Sequence, residues 1–159
     1  MNPQLTEVDY IYFECQRQHV TNYGDFAKAL DFAKSISPFG REINGPYSFN
    51  KFVQRIAELV EPEVNRSVLR GDRYSNLRVS EVGFANGGTT SKAVDVLYRF
   101  NRWCEFVNDF MLTDPIDGFI KSLLDIHPWA DGNGRTASIL RNWMLNRLET
   151  PDPLPYYYE

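Results

Sequence analysis

Cysteine is scarce in this chain. Cys15 and Cys104 are the only two among 159 residues. They stand alone, with neither the spacing of a metal site nor the density of a disulfide framework, so two free thiols in a reducing compartment are expected. Histidine is equally rare, at His19 and His127. No stretch approaches the roughly 18 apolar residues of a membrane span, and Met1 to Asp9 lack the basic and apolar regions of a secretory signal. Basic residues do not dominate either. The net charge is −4 and the pI is near 5.2, which removes any broad attraction for nucleic acid or anionic membrane. These absences point to a cytoplasmic protein, or one delivered to another cell's cytosol without a classical signal, with neither nucleic acid nor membrane as partner. What is present is an ordinary globular balance, 43% hydrophobic and 24% charged, in a chain long enough for one domain with a sizeable core.

The periodicity is mostly helical. Phe26 to Ile36 is a short helix candidate that stops near Pro38 and Gly40. Ser48 suits the N-cap of a stronger one, with Phe49, Phe52, Val53, Ile56, Leu59 and Val60 on one face. Val64 to Leu69 reads as a further helical segment after Pro62. Ser91 suits the cap of a long helix whose stripe runs Val94, Leu97, Phe100, Cys104, Val107, Met111, and Cys104 on that stripe is a small core residue. Pro115 suits the start of another, with Ile116, Phe119, Ile120, Leu123 and Leu124 inward. Ala137, Leu140, Trp143, Met144 and Leu148 give a last helix, from Arg135 to about Leu148. Leu77 to Phe84 instead alternates with period two, and Ala85-Asn86-Gly87-Gly88 is a turn signal, so Leu77 to Thr90 reads as a hairpin. Arg66, Arg70, Arg73 and Arg78 form a local basic patch, read as a solvated face.

The chemistry concentrates between the last two helices, in Ile126-His127-Pro128-Trp129-Ala130-Asp131-Gly132-Asn133-Gly134-Arg135. Gly132-Asn133-Gly134 is a turn that tolerates positive φ. It feeds a helix, so free backbone N–H groups and the helix dipole converge on one spot suited to an anion. Arg135 in the first turn opposes the dipole unless an anion sits there. Asp131 can hold Mg²⁺ together with substrate phosphates and water. His127 can be neutral at pH 7 and accept a proton from a hydroxyl.

His127-Pro128-Trp129-Ala130-Asp131-Gly132-Asn133-Gly134-Arg135 resembles the signature of the Fic (Fic/Doc) family, His-Pro-Phe-x-Asp/Glu-Gly-Asn-Gly-Arg, with Trp129 in place of a buried phenylalanine. The resemblance runs from about Ser48 to Leu148. It implies a mainly α fold, a compact Fic-type helical bundle with a β-hairpin flap at Leu77 to Thr90. Residues 1–47 would be an N-terminal helical extension packed on a core of 48–150, and 151–159 a C-terminal tail. It implies transfer of AMP from ATP to a Ser, Thr or Tyr hydroxyl of a protein. In that reaction His127 is the base and Asp131 the Mg²⁺ ligand. Gly132, Asn133 (backbone and side chain), Gly134 and Arg135 bind the phosphates. Arg78, Val79, Ser80, Glu81 and Val82 of the flap bind the target by adding it as a strand.

One departure matters. AMP-transferring members usually continue Arg-x-x-Arg, the second arginine reaching the terminal phosphate. Here Ser138 holds that position and cannot supply a guanidinium fork. Arg141, one turn on, is either a partial substitute or a solvated charge. Phosphoryl transfer of the Doc kind, another phosphate donor, or a silent binding module are the alternatives. The family's inhibitory Ser/Thr-x-x-x-Glu motif is missing. The nearest sequence is Thr113 with Asp117-Gly118, and the arginine such a glutamate would hold is Ser138 here. Any control is expected from a separate inhibitor protein.

Overall fold

A computed structural model describes residues 5–38, 40–65, 69–70, 93–107 and 116–155. Six helices account for most of them: α1 (Glu7–Arg17), α2 (Tyr23–Lys34), α3 (Pro46–Val60), α4 (Ala93–Glu105), α5 (Ile116–Ile126) and α6 (Asn133–Met144). There is no strand among the described residues, and the hairpin expected at Leu77 to Thr90, with Arg78, Val79, Ser80, Glu81 and Val82, lies outside them.

Local chemistry explains the helix starts. Thr6 caps α1 by accepting the N–H of Asp9, with Glu7 and Asp9 in the first turn and Arg17 in the last to oppose the dipole. α3 begins two residues before the expected Ser48. Pro46 takes the first helical position, where its missing N–H costs nothing. Ser48 Oγ instead accepts the Asn44 N–H at 2.9 Å, bracing the entry from inside the first turn. The expected helix from Val64 to Leu69 is not formed at Val64, which closes a turn, at Asn65, or at Leu69; residues 66–68 lie outside the described set.

α6 is the centre of the bundle and packs on α2, α3 and α5; α4 lies against α3 and α5, and α1 against α2. Aromatic rings fill the middle. Trp103 stacks on Phe119 at 4.2 Å, Phe52 meets Trp143 at 4.5 Å and Phe49 meets Trp103 at 5.4 Å. The Trp103 indole N–H is satisfied by the Phe119 carbonyl, so the tryptophan can be buried whole. This anchoring corrects the face expected of α4. Val96, Phe100, Trp103, Cys104 and Val107 are buried, whereas Val94 and Leu97 are 83% and 59% exposed. Both stripes share Phe100, Cys104 and Val107; the ring stack at Trp103 decides which way the helix turns. Cys15 and Cys104 are unpaired and buried. Burial pushes the Cys104 thiol up to about 12, so it packs as a neutral apolar group.

The first two helices share this core, through Tyr10, Cys15, Phe26, Ala29, Leu30 and Ala33. Residues 151–155 also fold back on α1. The Leu154 N–H reaches Glu14 Oε1 at 3.2 Å, and Arg17 donates to the Leu154 carbonyl at 2.6 Å.

Candidate active site

The loop between α5 and α6 carries His127 to Gly132, and every part of it is tied down. His127 sits one residue past the end of α5 with φ +51°, in the left-handed region, which costs a side chain-bearing residue about 1–2 kcal/mol. Its N–H closes on the Leu123 carbonyl at 3.0 Å. Its Nδ1 lies 2.6 Å from the Leu124 carbonyl. A carbonyl can only accept, so Nδ1 carries the proton and Nε2 is the basic nitrogen. Burial lowers the histidine pKa below its ordinary value. The Leu124 bond raises it, Arg70 lowers it, and Asp125 and Asp131 raise it, with burial prevailing. The imidazole is therefore neutral at pH 7.

Next in the loop, Trp129 is a buried anchor, edge-on to Phe100 at 5.6 Å. Asn133 holds its backbone on both sides. Oδ1 accepts the Trp129 N–H at 3.1 Å and Nδ2 donates to the Trp129 carbonyl at 2.9 Å. The expected contact of the Asn133 side chain with a phosphoryl group thus finds both polar atoms already engaged.

α6 starts with Gly132 as N-cap at φ +76° and no capping side chain. The first intrahelical bond is Thr136 N–H to the Gly132 carbonyl, 2.9 Å. The N–H groups of Asn133, Gly134 and Arg135 consequently point out of the helix end without a carbonyl in the preceding turn, the arrangement that attracts an anion. Gly132 is needed twice over, for its φ and for space. A Cβ there would lie 2.9 Å from Val60 Cγ1 and 3.3 Å from Glu61 Cγ. Gly132→Ala is expected to cost about 2–5 kcal/mol, the sum of left-handed strain and overpacking. Gly118→Ala, into open space on α5, is the control that should not destabilise; urea denaturation of the two compares them.

Asp131 keeps its carboxylate in solvent, with a side chain 57% exposed. Oδ1 accepts the Gly132 N–H at 2.7 Å, and Arg135 Nη2 approaches the same oxygen at 3.5 Å. The Arg135 guanidinium is buried beside the N-cap Gly132, 3.6 Å from where a Cβ there would sit. It is 1% exposed and paired with Glu61 Oε1 at 2.7 Å, at the end of α3. Arg135 thus ties α6 to α3. Its backbone N–H is one of the three at the start of α6 that have no carbonyl in the preceding turn. Among the described residues, no three His, Cys, Asp or Glu cluster as a metal site. The exposed carboxylate of Asp131 is one that could hold Mg²⁺, which takes one or two carboxylates and completes its shell with phosphates and water.

Residues 53–145, more than half of the chain, match a family model described as the Fic/DOC family. The chain belongs to the Fic/DOC family. No curated protein matches it.

Ser138, where many Fic proteins are expected to have their second arginine, is fully buried. Its Oγ is 2.6 Å from the Tyr10 hydroxyl, and Asn142 Nδ2 donates to the Ser138 carbonyl at 2.9 Å. Helix α1 thereby covers this position of the Fic helix. Burial pushes the Tyr10 phenol well above its ordinary pKa, and Glu14 adds to the shift. Arg141 is no isolated surface charge; its Nε pairs with Asp117 Oδ1 at 3.0 Å.

Three residues that hold the motif loop were not singled out from the sequence. Glu61 anchors Arg135. Asn65, readable only as part of a formal Asn-Arg-Ser sequon, donates to the carbonyls of Ala57 (3.1 Å) and Asp131 (2.8 Å). Arg70, read as part of a solvated patch, is 2% exposed. It donates from Nε to the His127 carbonyl at 2.8 Å and from a terminal nitrogen to the Ile126 carbonyl at 3.0 Å. No residue type or spacing marks these three; Glu61 is recognised only once the Arg135 guanidinium is beside it, and Asn65 and Arg70 only once the motif-loop carbonyls are. Gln18, from the α1–α2 loop, also comes close: a Cβ on Gly134 would be 3.3 Å from its Nε2.

Proposed function

We propose that this Fic/DOC protein transfers AMP from ATP to a hydroxyl of a target protein. The observation that carries the reading is the pairing of a neutral His127, Nδ1 bonded to Leu124, with the open N-terminus of α6 and the exposed Asp131 on one braced loop. His127 Nε2 takes the proton of the attacking Ser, Thr or Tyr hydroxyl. The oxygen attacks the α-phosphorus, the bond to the bridging oxygen of the β-phosphate breaks, and pyrophosphate leaves. Backbone N–H groups of Asn133, Gly134 and Arg135 stabilise the charge that gathers on the phosphoryl oxygens. Mg²⁺, held by Asp131 and the phosphates, supplies charge neutralisation when bound. Such a reaction runs mostly on positioning and electrostatics. The target is read as docking at the segment of Arg78 to Val82, and control as coming from a separate protein.

A second reading is favoured by the same structure. Ser138 is buried beneath Tyr10, so α6 offers no arginine from that position to a terminal phosphate. A donor held without that clamp admits phosphoryl transfer or another phosphate donor. Parallel incubations with α- and γ-labelled ATP, Mg²⁺ and cell lysate separate the two. Label from the α-position, absent in His127→Ala, is expected; label from the γ-position alone would overturn AMP transfer in favour of phosphoryl transfer.

A further inference from the structure

α5 ends in a row of carbonyls that need partners. Leu123 and Leu124 are satisfied by His127 itself, through its N–H and its Nδ1. The carbonyls of Ile126, His127 and Pro128 are satisfied by one residue from a distant part of the chain. Arg70 gives a side-chain bond to the Ile126 carbonyl, another to the His127 carbonyl, and its backbone N–H to the Pro128 carbonyl at 2.6 Å. Both neighbours of the histidine, and the histidine itself, are therefore gripped by a single buried arginine. His127 is held at φ +51°, a conformation that persists only where its surroundings over-determine it.

We propose that Arg70 is a positioning residue for His127: its forked guanidinium closes the end of α5 on two adjacent carbonyls, fixes the histidine in its left-handed conformation and so aims Nε2 at the reacting hydroxyl. Only arginine supplies two such donors in one rigid plane; lysine offers a point charge. The same group has an electrostatic effect. The C-terminus of a helix favours a cation within its last turn. The guanidinium fills that role, so the helix end exerts less pull toward protonating the imidazole. The charged groups acting on the imidazole are Arg70, Asp125 and Asp131.

The inference rests on His127 being the base, but its test does not require turnover. The chain has two histidines, so ring NMR signals in the nucleotide-free protein are few, and His19→Gln assigns them. The wild type is expected to show His127 as the Nδ1–H tautomer, titrating below the ordinary histidine value. In Arg70→Gln the midpoint should rise and that tautomer should lose its preference, while the His19 signal does not move. In the transfer assay kcat should fall about 10- to 100-fold with little change in KM for ATP, as expected of a misplaced base. A His127 titration, tautomer and kcat in Arg70→Gln equal to wild type would overturn the proposal. Should that variant not fold, Arg70→Lys decides: charge without the fork should leave the midpoint low and still reduce kcat, and a wild-type kcat would overturn the role. A wild type with the expected histidine signals that transfers nothing would count against the transferase reading alone.

Discussion

Ser138→Arg is expected to unfold this protein, not to restore a clamp on a terminal phosphate. The serine is fully buried, and its hydroxyl lies 2.6 Å from that of Tyr10, which also receives a bond from Asn142 at 3.4 Å. A guanidinium at this position has no solvent path and must displace Tyr10 or lie uncompensated beside it. Overpacking costs about 1–3 kcal/mol, and a buried charge without a partner several more. The total approaches the stability of a whole domain, about 5–15 kcal/mol. Glu14, one helical turn beyond Tyr10, offers little relief, because it already serves Arg17 and the Leu154 N–H. Thermal denaturation by circular dichroism is the measurement. Tyr10→Ala combined with Ser138→Arg should recover part of the loss, since α1 then leaves room. A single Ser138→Arg variant melting within a few degrees of wild type would show that the slot beneath Tyr10 is not closed.

His127→Ala is expected to reduce transfer by about 10²- to 10⁴-fold, the usual contribution of a positioned general base. The effect on stability should be small by comparison, because the side chain is only partly buried and alanine keeps the backbone bond to the Leu123 carbonyl. The pH dependence follows from the same group. The active form is the neutral imidazole, and burial holds the folded-state pKa below the ordinary value. Activity should therefore be low in acid, rise as pH passes that lowered pKa, and already be on its plateau at pH 7. Stability follows the same sign. The unfolded chain binds the proton more readily, so this residue's share is present above about pH 6.5 and lost as pH falls through the folded-state value. Initial rates between pH 5 and 8 check it; a rate that climbs only above pH 7 would remove His127 as the neutral base.

The positions of these two residues differ in how far they could be read in advance. His127 was legible because its neighbours are chemically distinctive over nine consecutive residues, and contiguous motifs survive in sequence. Ser138 was legible as a departure, but not as a buried one. Its environment is made by Tyr10, more than 120 residues away, and nothing local to position 138 announces an overlying phenol. Arg70 was misread for the same reason. A run of arginines with no apolar periodicity has the appearance of a solvated face, and only the fold brings the carbonyls of Ile126 and His127 beside one of them. The two candidate stripes of α4 were equally good as periodicity, since both run through Phe100, Cys104 and Val107. The choice was made by stacking between Trp103 and Phe119, a contact between two helices.

By itself the sequence determined the helical character, the family, and the residue types gathered between α5 and α6, because each of these is written in local spacing: the 3.6-residue period, glycine at a positive φ, a histidine and an aspartate four residues apart. The tertiary structure alone decided which polar atoms are still available for chemistry. Asn133 and Arg135 carry the right groups for a phosphate; the fold bonds the Asn133 amide to the Trp129 backbone and pairs the Arg135 guanidinium with Glu61, and it leaves Arg135 Nε without a hydrogen-bond partner. Most buried polar groups in folded proteins are hydrogen-bonded, and for Ser138, the Asp131 carbonyl and the His127 carbonyl the partners come from α1 and from the residues after α3. That allocation is a property of packing between distant segments, so no reading along the chain could have made it.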